Sequence, residues 1–234
     1  MKVERIISSL PCAVVSIIFL LLIVSNISYA EGVPACLSQD AQTNTESIVD
    51  SHPMSGQELL ARLVYAEGMS TGFGDDRLVY DSIAWGVMNR VRLGEVSYSM
   101  RRSYGFGIRG VIFKKGQFNP AVSKRSQFSK AFLCPDHTSR WTMARSAAEA
   151  AMKRAGNPFI QTSWEKQNNL SLVVNFYYPH SIQARGRFAP WEGNKALIFI
   201  GDLPMGDTML SSEHIRFYRL KYPPTDIKKH EKVH

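Results

Sequence analysis

The sequence predicts an α+β domain that is mainly helical, with its few strands placed late in the chain. Three observations lead there. Apolar residues recur at three- and four-residue spacing over three long segments that end before Gly156. The two short β-prone runs, Leu172 to Tyr178 and Ala196 to Ile200, come after them and are bounded by turn residues. The composition, 44% hydrophobic and 21% charged over 234 residues, supplies one substantial core and excludes a disordered or collagen-like chain.

At the N-terminus, Lys2 and Arg5 precede an apolar run from Ala13 to Val24, and Ser28-Tyr29-Ala30 puts small residues where a signal peptidase reads. Residues 1–30 therefore predict an export signal cleaved after Ala30. The product would lie in the periplasm or at the cell wall with no stable membrane insertion. An uncleaved N-terminal membrane anchor is the alternative, because no charge falls between Ile6 and Ala30. Cys12 lies inside the signal, which leaves Cys36 and Cys134 in a compartment where a disulfide persists. One bridge would tie the N-terminal arm to the middle of the domain; two unrelated thiols are the alternative.

Residues 31–54 are polar, lack apolar periodicity and read as a flexible leader, so the domain is expected over residues 55–222. Ser55-Gly56-Gln57-Glu58 has the form of a capping box. The helix it opens carries Leu59, Leu60, Leu63 and Val64 as its buried stripe and is expected to end at Gly68 and the Gly72/Gly74 loop. A second helix is expected from Leu78 to Arg92, on Ile83, Ala84, Val87, Met88 and Val91, stopped by Gly94. Residues 95–138 hold many Gly, Ser and aromatic residues and read as loop. A third helix is expected from Arg140 to Ala155, its alanines permitting close packing. Pro223-Pro224 followed by Lys228, Lys229 and Lys232 predicts a basic flexible tail over residues 223–234.

The 28 Lys+Arg exceed the 20 Asp+Glu by eight, which favours an anionic polymer as partner. No basic helix or basic-aromatic strand pattern accompanies that charge, so neither nucleic acid nor a membrane is expected. His230-Glu231-Lys232-Val233-His234 fits H-E-x-x-H, but it sits in the basic tail without a packed helix or third ligand and is read as a chance match. Gly105-Phe106-Gly107-Ile108-Arg109-Gly110 fits a dinucleotide fingerprint that no apolar strand precedes. His52, His137, His180 and His214 show no ligand spacing, and no G-x-S-x-G elbow is present.

Glu67 follows Leu60, Leu63 and Val64 by seven, four and three residues, so on a helix it projects from the apolar face. Burial there raises a carboxyl pKa, the condition for donating a proton near neutral pH. A buried Glu paired with Arg62 or Arg90 is the structural alternative.

Leu60-Ala61-Arg62-Leu63-Val64-Tyr65-Ala66-Glu67, then Asn89-Arg90-Val91, Gly110-Val111-Ile112-Phe113 and Gly116-Gln117-Phe118-Asn119 together resemble the SleB-type cell wall hydrolases, which include spore cortex-lytic enzymes. The likeness continues through the Ala-rich helix, Phe176-Tyr177-Tyr178, Trp191 and His214-Ile215-Arg216-Phe217-Tyr218, covering about residues 56–222. It implies a lysozyme-like domain with a small antiparallel sheet. It also implies cleavage of peptidoglycan glycan between N-acetylmuramic acid and N-acetylglucosamine, commonly as a lytic transglycosylase, with Glu67 as the acid. The chain departs from the family where Gly68-Met69-Ser70-Thr71 follows the Glu, since a second acid usually comes there.

Glycosidic cleavage normally takes two carboxylates. Asp75, Asp76 and Asp81 are the candidate partners of Glu67, and none has a compelling position. A transglycosylase needs one residue only, which serves as acid and then as base. Gln117 and Asn119 are suited to hydrogen-bond acetamido or hydroxyl groups, and Phe118, Tyr177, Tyr178 and Trp191 to offer flat faces to sugars; core packing is the alternative for each aromatic. No metal or organic cofactor is expected, and peptidoglycan is the expected partner of a monomer. A muramidase-type hydrolase and a non-catalytic peptidoglycan-binding module are the rival readings.

Overall fold

A computed structural model describes residues 32–37, 44–123, 126–205 and 207–227, so the predicted export signal and the H-E-x-x-H tail lie outside the described residues. The described residues from Val33 onward belong to one unit, a mixed α+β domain. Its centre is helix α2, Gly56–Ser70, preceded by the short α1, Thr45–Asp50. Ser55 caps α2 by accepting the Glu58 N–H at 3.0 Å. The capping box is only half formed, because Glu58 turns to the buried Arg62 at 2.9 Å, where an unmet charge would be costly. Every residue from Leu59 to Gly68 is buried, so α2 runs through the core and has no wet face over that length. We expect Ser55→Ala to lower the unfolding free energy by about 1 kcal/mol in urea denaturation, the usual worth of such a cap; an unchanged midpoint would show the helix start to be fixed by burial alone.

Helix α3, Arg77–Val96, starts on Asp76, whose carboxylate accepts the Leu78 N–H at 2.9 Å. Both glycines expected to stop helices lie inside them. A Cβ on Gly68 would stand 2.5 Å from the Tyr80 ring, and one on Gly94 would stand 2.5 Å from the Gly105 carbonyl oxygen. Close approach between segments, not helix termination, is what these glycines provide. Helix α2 ends instead at Thr71, whose hydroxyl and backbone N–H both turn back to the Gly68 carbonyl.

Residues 95–138, expected as loop, contain four short helices among the described residues: α4 Tyr98–Tyr104, α5 Gly107–Ile112, α6 Asn119–Val122 and α7 Ser129–Leu133. The longest has seven residues, too few for helical periodicity to show in the sequence. Helix α8, Thr138–Met152, packs on α2 and α3 through the buried Ala144, Ala147, Ala148 and Ala151, the close packing its alanines predicted. Helix α9, Ser163–Asn168, follows.

The strands are β1 Val173–Tyr177, β2 Leu197–Phe199, β3 Leu203–Met205, β4 Thr208–Leu210 and β5 Arg216–Leu220. An antiparallel sheet of order β1-β5-β2 is joined by a separate β3-β4 pair. β1 and β2 lie where the sequence predicts strands. The central strand β5 was not predicted as one, because Arg216-Phe217-Tyr218-Arg219 mixes charge and aromatics without alternation. Arg216 is nonetheless buried, its guanidinium 4.0 Å from the Phe199 ring centroid and bonded to Glu192. A bulge at Val174 interrupts β1, and there Asn89 and Arg90 of α3 donate to the carbonyls of Val173 and Val174 at 2.9 and 2.5 Å. That joint fixes sheet to helices.

Two boundaries need correction. The leader is not free from its start: Leu37, Ile48 and Val49 are buried in the core, and Arg62 donates to the carbonyls of Ala35 and Leu133 at 2.8 and 2.7 Å. Cys36 and Cys134 are bridged, closing the same contact covalently. At the other end, Asp226 accepts from the Ser97 hydroxyl at 2.6 Å and the Ser99 N–H at 2.7 Å, and Ile227 bridges to Ser97. The domain therefore extends at least to Ile227, with the Pro pair inside it. Short polar segments gave no periodic signal, because their order comes from single anchoring contacts. Among the described residues no helix is long and apolar enough to cross a membrane.

Candidate functional site

Glu67 lies one turn from the end of α2, 5% exposed, and forms part of the floor of a cleft of about 440 Å³. One wall comes from Tyr104 at the end of α4 and from Gly116 to Pro120 at the start of α6. The other comes from Asn175 to Tyr178 at the end of β1, the turn after it, and Trp191. Gln117, Phe118, Asn119, Tyr177, Tyr178 and Trp191, all singled out in the sequence, line this one cleft with Glu67.

Burial is the largest influence on Glu67 and pushes its carboxyl up to about 7, against opposing pulls from the Tyr178 hydroxyl and the Arg90 guanidinium. Arg62 is occupied by Glu58 and two carbonyls, so it is not the partner. Arg90 acts on Glu67 without an ion pair. It donates to the Val174 carbonyl at 2.5 Å and to the Gln117 side-chain oxygen at 2.7 Å, and lies 4.8 and 5.0 Å from the ring centroids of Phe118 and Phe176. The Tyr178 hydroxyl is buried beside the Glu67 carboxyl without completing a well-formed hydrogen bond to any group. Burial and the Glu67 charge together push the Tyr178 phenol well up, so it remains a donor.

The expected sugar-facing roles divide. Phe118 is 2% exposed and Tyr178 9%, so neither offers an open ring face; Phe118 packs under Arg90, and Tyr178 contributes its hydroxyl. Tyr177 and Trp191 are partly exposed and meet edge to face at 6.2 Å. Tyr177 is fixed through its hydroxyl, which donates to the Gly186 carbonyl at 2.7 Å and accepts the Arg185 N–H at 3.0 Å. Arg90 holds the Gln117 carbonyl oxygen, which frees the amide N–H groups to donate elsewhere. Asn119 is exposed at the first residue of α6.

The candidate second acids are elsewhere. Asp75 takes two bonds from Arg140, each at 2.9 Å, Asp76 caps α3, and Asp81 pairs with Arg77 at 3.5 Å. Glu67 is the only carboxylate among the described residues lining the cleft. Sequence reasoning missed the organising part of Arg90, seen only as a possible partner for Glu67, and the Tyr104 hydroxyl bonded to Asn175 at 3.2 Å. No local signal marks either, since both act across long sequence separations. Of the four histidines before the tail, His214 stacks on Phe73 at 3.6 Å, and no His, Cys, Asp or Glu cluster suited to a metal occurs among the described residues.

A carboxyl raised to near neutrality, in one cleft with a phenol donor, amide groups and two partly exposed rings, is equipped to give and take back one proton. Compared with known proteins, the chain matches no family model, no curated protein and no solved structure.

Proposed function

We propose that this protein cleaves the glycan strand of peptidoglycan between N-acetylmuramic acid and N-acetylglucosamine, as a lytic transglycosylase on a lysozyme-like domain. The reading follows the resemblance to SleB-type hydrolases. The observation that carries it is Glu67: a single buried carboxyl, raised to about 7, without another carboxylate among the described residues of its cleft. Near neutral pH part of the population holds the proton. Glu67 donates it to the glycosidic oxygen as the bond to C1 breaks, and N-acetylglucosamine leaves with a new hydroxyl. The resulting carboxylate accepts the proton of the muramic acid 6-hydroxyl, whose oxygen closes on C1 to form the 1,6-anhydro ring. Glu67 ends protonated, as it began, and no water is consumed. Tyr178 and Arg90 support the carboxylate between the two steps. The Cys36–Cys134 bridge agrees with the exported setting expected from residues 1–30.

Mass spectrometry of digested peptidoglycan tests this reading. Products ending in 1,6-anhydro-muramic acid are expected. Reducing muramic acid ends would make the enzyme a hydrolase with water as nucleophile. Wall binding without any product would make it a binding module and overturn the proposal.

A further inference from the structure

The charge around the cleft is one-sided. Between Glu95 and Asp136 the chain contains eight Lys and Arg and no acid, and between Glu165 and Glu192 it contains three and no acid. These two stretches build both walls of the cleft. Several of their cations are already engaged: Arg101 lies over Phe106 and donates to the Gly94 carbonyl, Arg109 pairs with Asp50, and Arg187 with Glu213. Arg102, Lys115 and Arg185 are exposed and form no ion pair among the described residues. Each is the chain neighbour of a residue lining the cleft, namely Ser103, Gly116 and Ala184. Consecutive Cα atoms are about 3.8 Å apart, so the backbone of all three stands beside the edge of the cleft, on three different segments. Glu192, beside Trp191, is the one acid similarly placed, and it is held by Arg216 and the Tyr218 hydroxyl.

We infer that Arg102, Lys115 and Arg185 form a cationic rim that selects glycan strands whose substituents carry free carboxylates, such as uncapped stem peptides, over strands with neutral substituents. This inference rests on the proposed glycan cleavage and names the form of the strand that the cleft prefers. The cleft supplies the sugar-facing chemistry through amide donors and two partly open rings. The rim lies outside it, where substituents of a bound strand project, and Arg and Lys there meet carboxylates by charge-assisted hydrogen bonds. Each exposed contact is worth little alone and is screened over about 8 Å at physiological salt, so preference comes from three acting together.

The test uses the full chain carrying Glu67→Gln, so that binding is read without turnover. It is titrated with soluble peptidoglycan strands bearing free carboxylates and with the same strands after capping as methylamides. Capped strands should bind about tenfold more weakly, with the gap narrowing as salt rises. Arg102→Glu, Lys115→Glu and Arg185→Glu should each weaken binding of uncapped strands about threefold, and together about thirtyfold, while barely affecting capped ones. Lys166→Glu, the same charge change on α9, should leave both affinities unchanged. Capping leaves any wall phosphate intact, so equal binding of the two strands would overturn the inference, as would rim reversals that weaken both alike. Wild-type turnover separates the two proposals. Equal cleavage of both strands would keep glycan cleavage and remove the rim preference, whereas discrimination in binding without cleavage would do the reverse.

Discussion

Glu67→Gln should reduce glycan cleavage by about 10²–10⁴, the range for losing a general acid, while leaving fold and wall binding intact. Gln keeps the size of the side chain and its place beside the Tyr178 hydroxyl, but it neither releases nor takes up a proton at neutral pH. The control lies in the neighbouring acids. Asp75→Asn removes the charge that pairs with Arg140 and Asp81→Asn the one that pairs with Arg77, and neither acid lines the cleft, so both variants should retain turnover. Wild-type activity should also carry the signature of Glu67. The donor must be protonated, so the rate should fall as pH rises through about 7, where burial places its carboxyl. Near-normal turnover in Glu67→Gln with unchanged products would remove the assignment altogether, and a rate flat from pH 6 to 8 would remove Glu67 as the donor in the wild type.

How far the site was legible follows from which interactions are local. The burial of Glu67 was legible because α2 is one helix, and position along a helix fixes which residues share its buried face. The lining residues were found as short segments, and the fold brings those segments to one cleft. Their individual roles were less legible, because exposure is set by what packs on each ring. Phe118 lost its open face to Arg90 and Phe176, which come from α3 and β1. Long helices announced themselves by period, whereas α4 to α7 are too short to have one. Gly68 and Gly94 misled for a related reason. A glycine reads as a stop when only the local chain is considered, but here each accommodates a distant segment, Tyr80 in one case and Gly105 in the other. Strand β5 was hidden because its charged residues are satisfied by partners remote in sequence, such as Glu192 and Glu165.

The same Glu67→Gln substitution should stabilise the domain at alkaline pH and leave it nearly unchanged at acid pH. A carboxyl near 4.5 when unfolded is raised to about 7 in the fold, so between those values the native state holds a proton that the unfolded chain has released. Raising pH through this window therefore draws the equilibrium toward unfolding. The cost is absent below about pH 4.5, grows through the window and is complete above about pH 7, where it amounts to about 3 kcal/mol. Gln cannot charge and escapes it. The groups facing Glu67 limit the gain: Arg90 from α3 and the Tyr178 hydroxyl after β1 favour the carboxylate, and Tyr104 of α4 acts on Arg90 in turn. Other titrations are common to both proteins and cancel in the difference. Urea denaturation at pH 4, 6 and 8 measures it, and the gap between Glu67→Gln and wild type should open steadily with pH. A constant gap would mean that Glu67 titrates alike in both states, and the effect of burial that raises its carboxyl would then be absent.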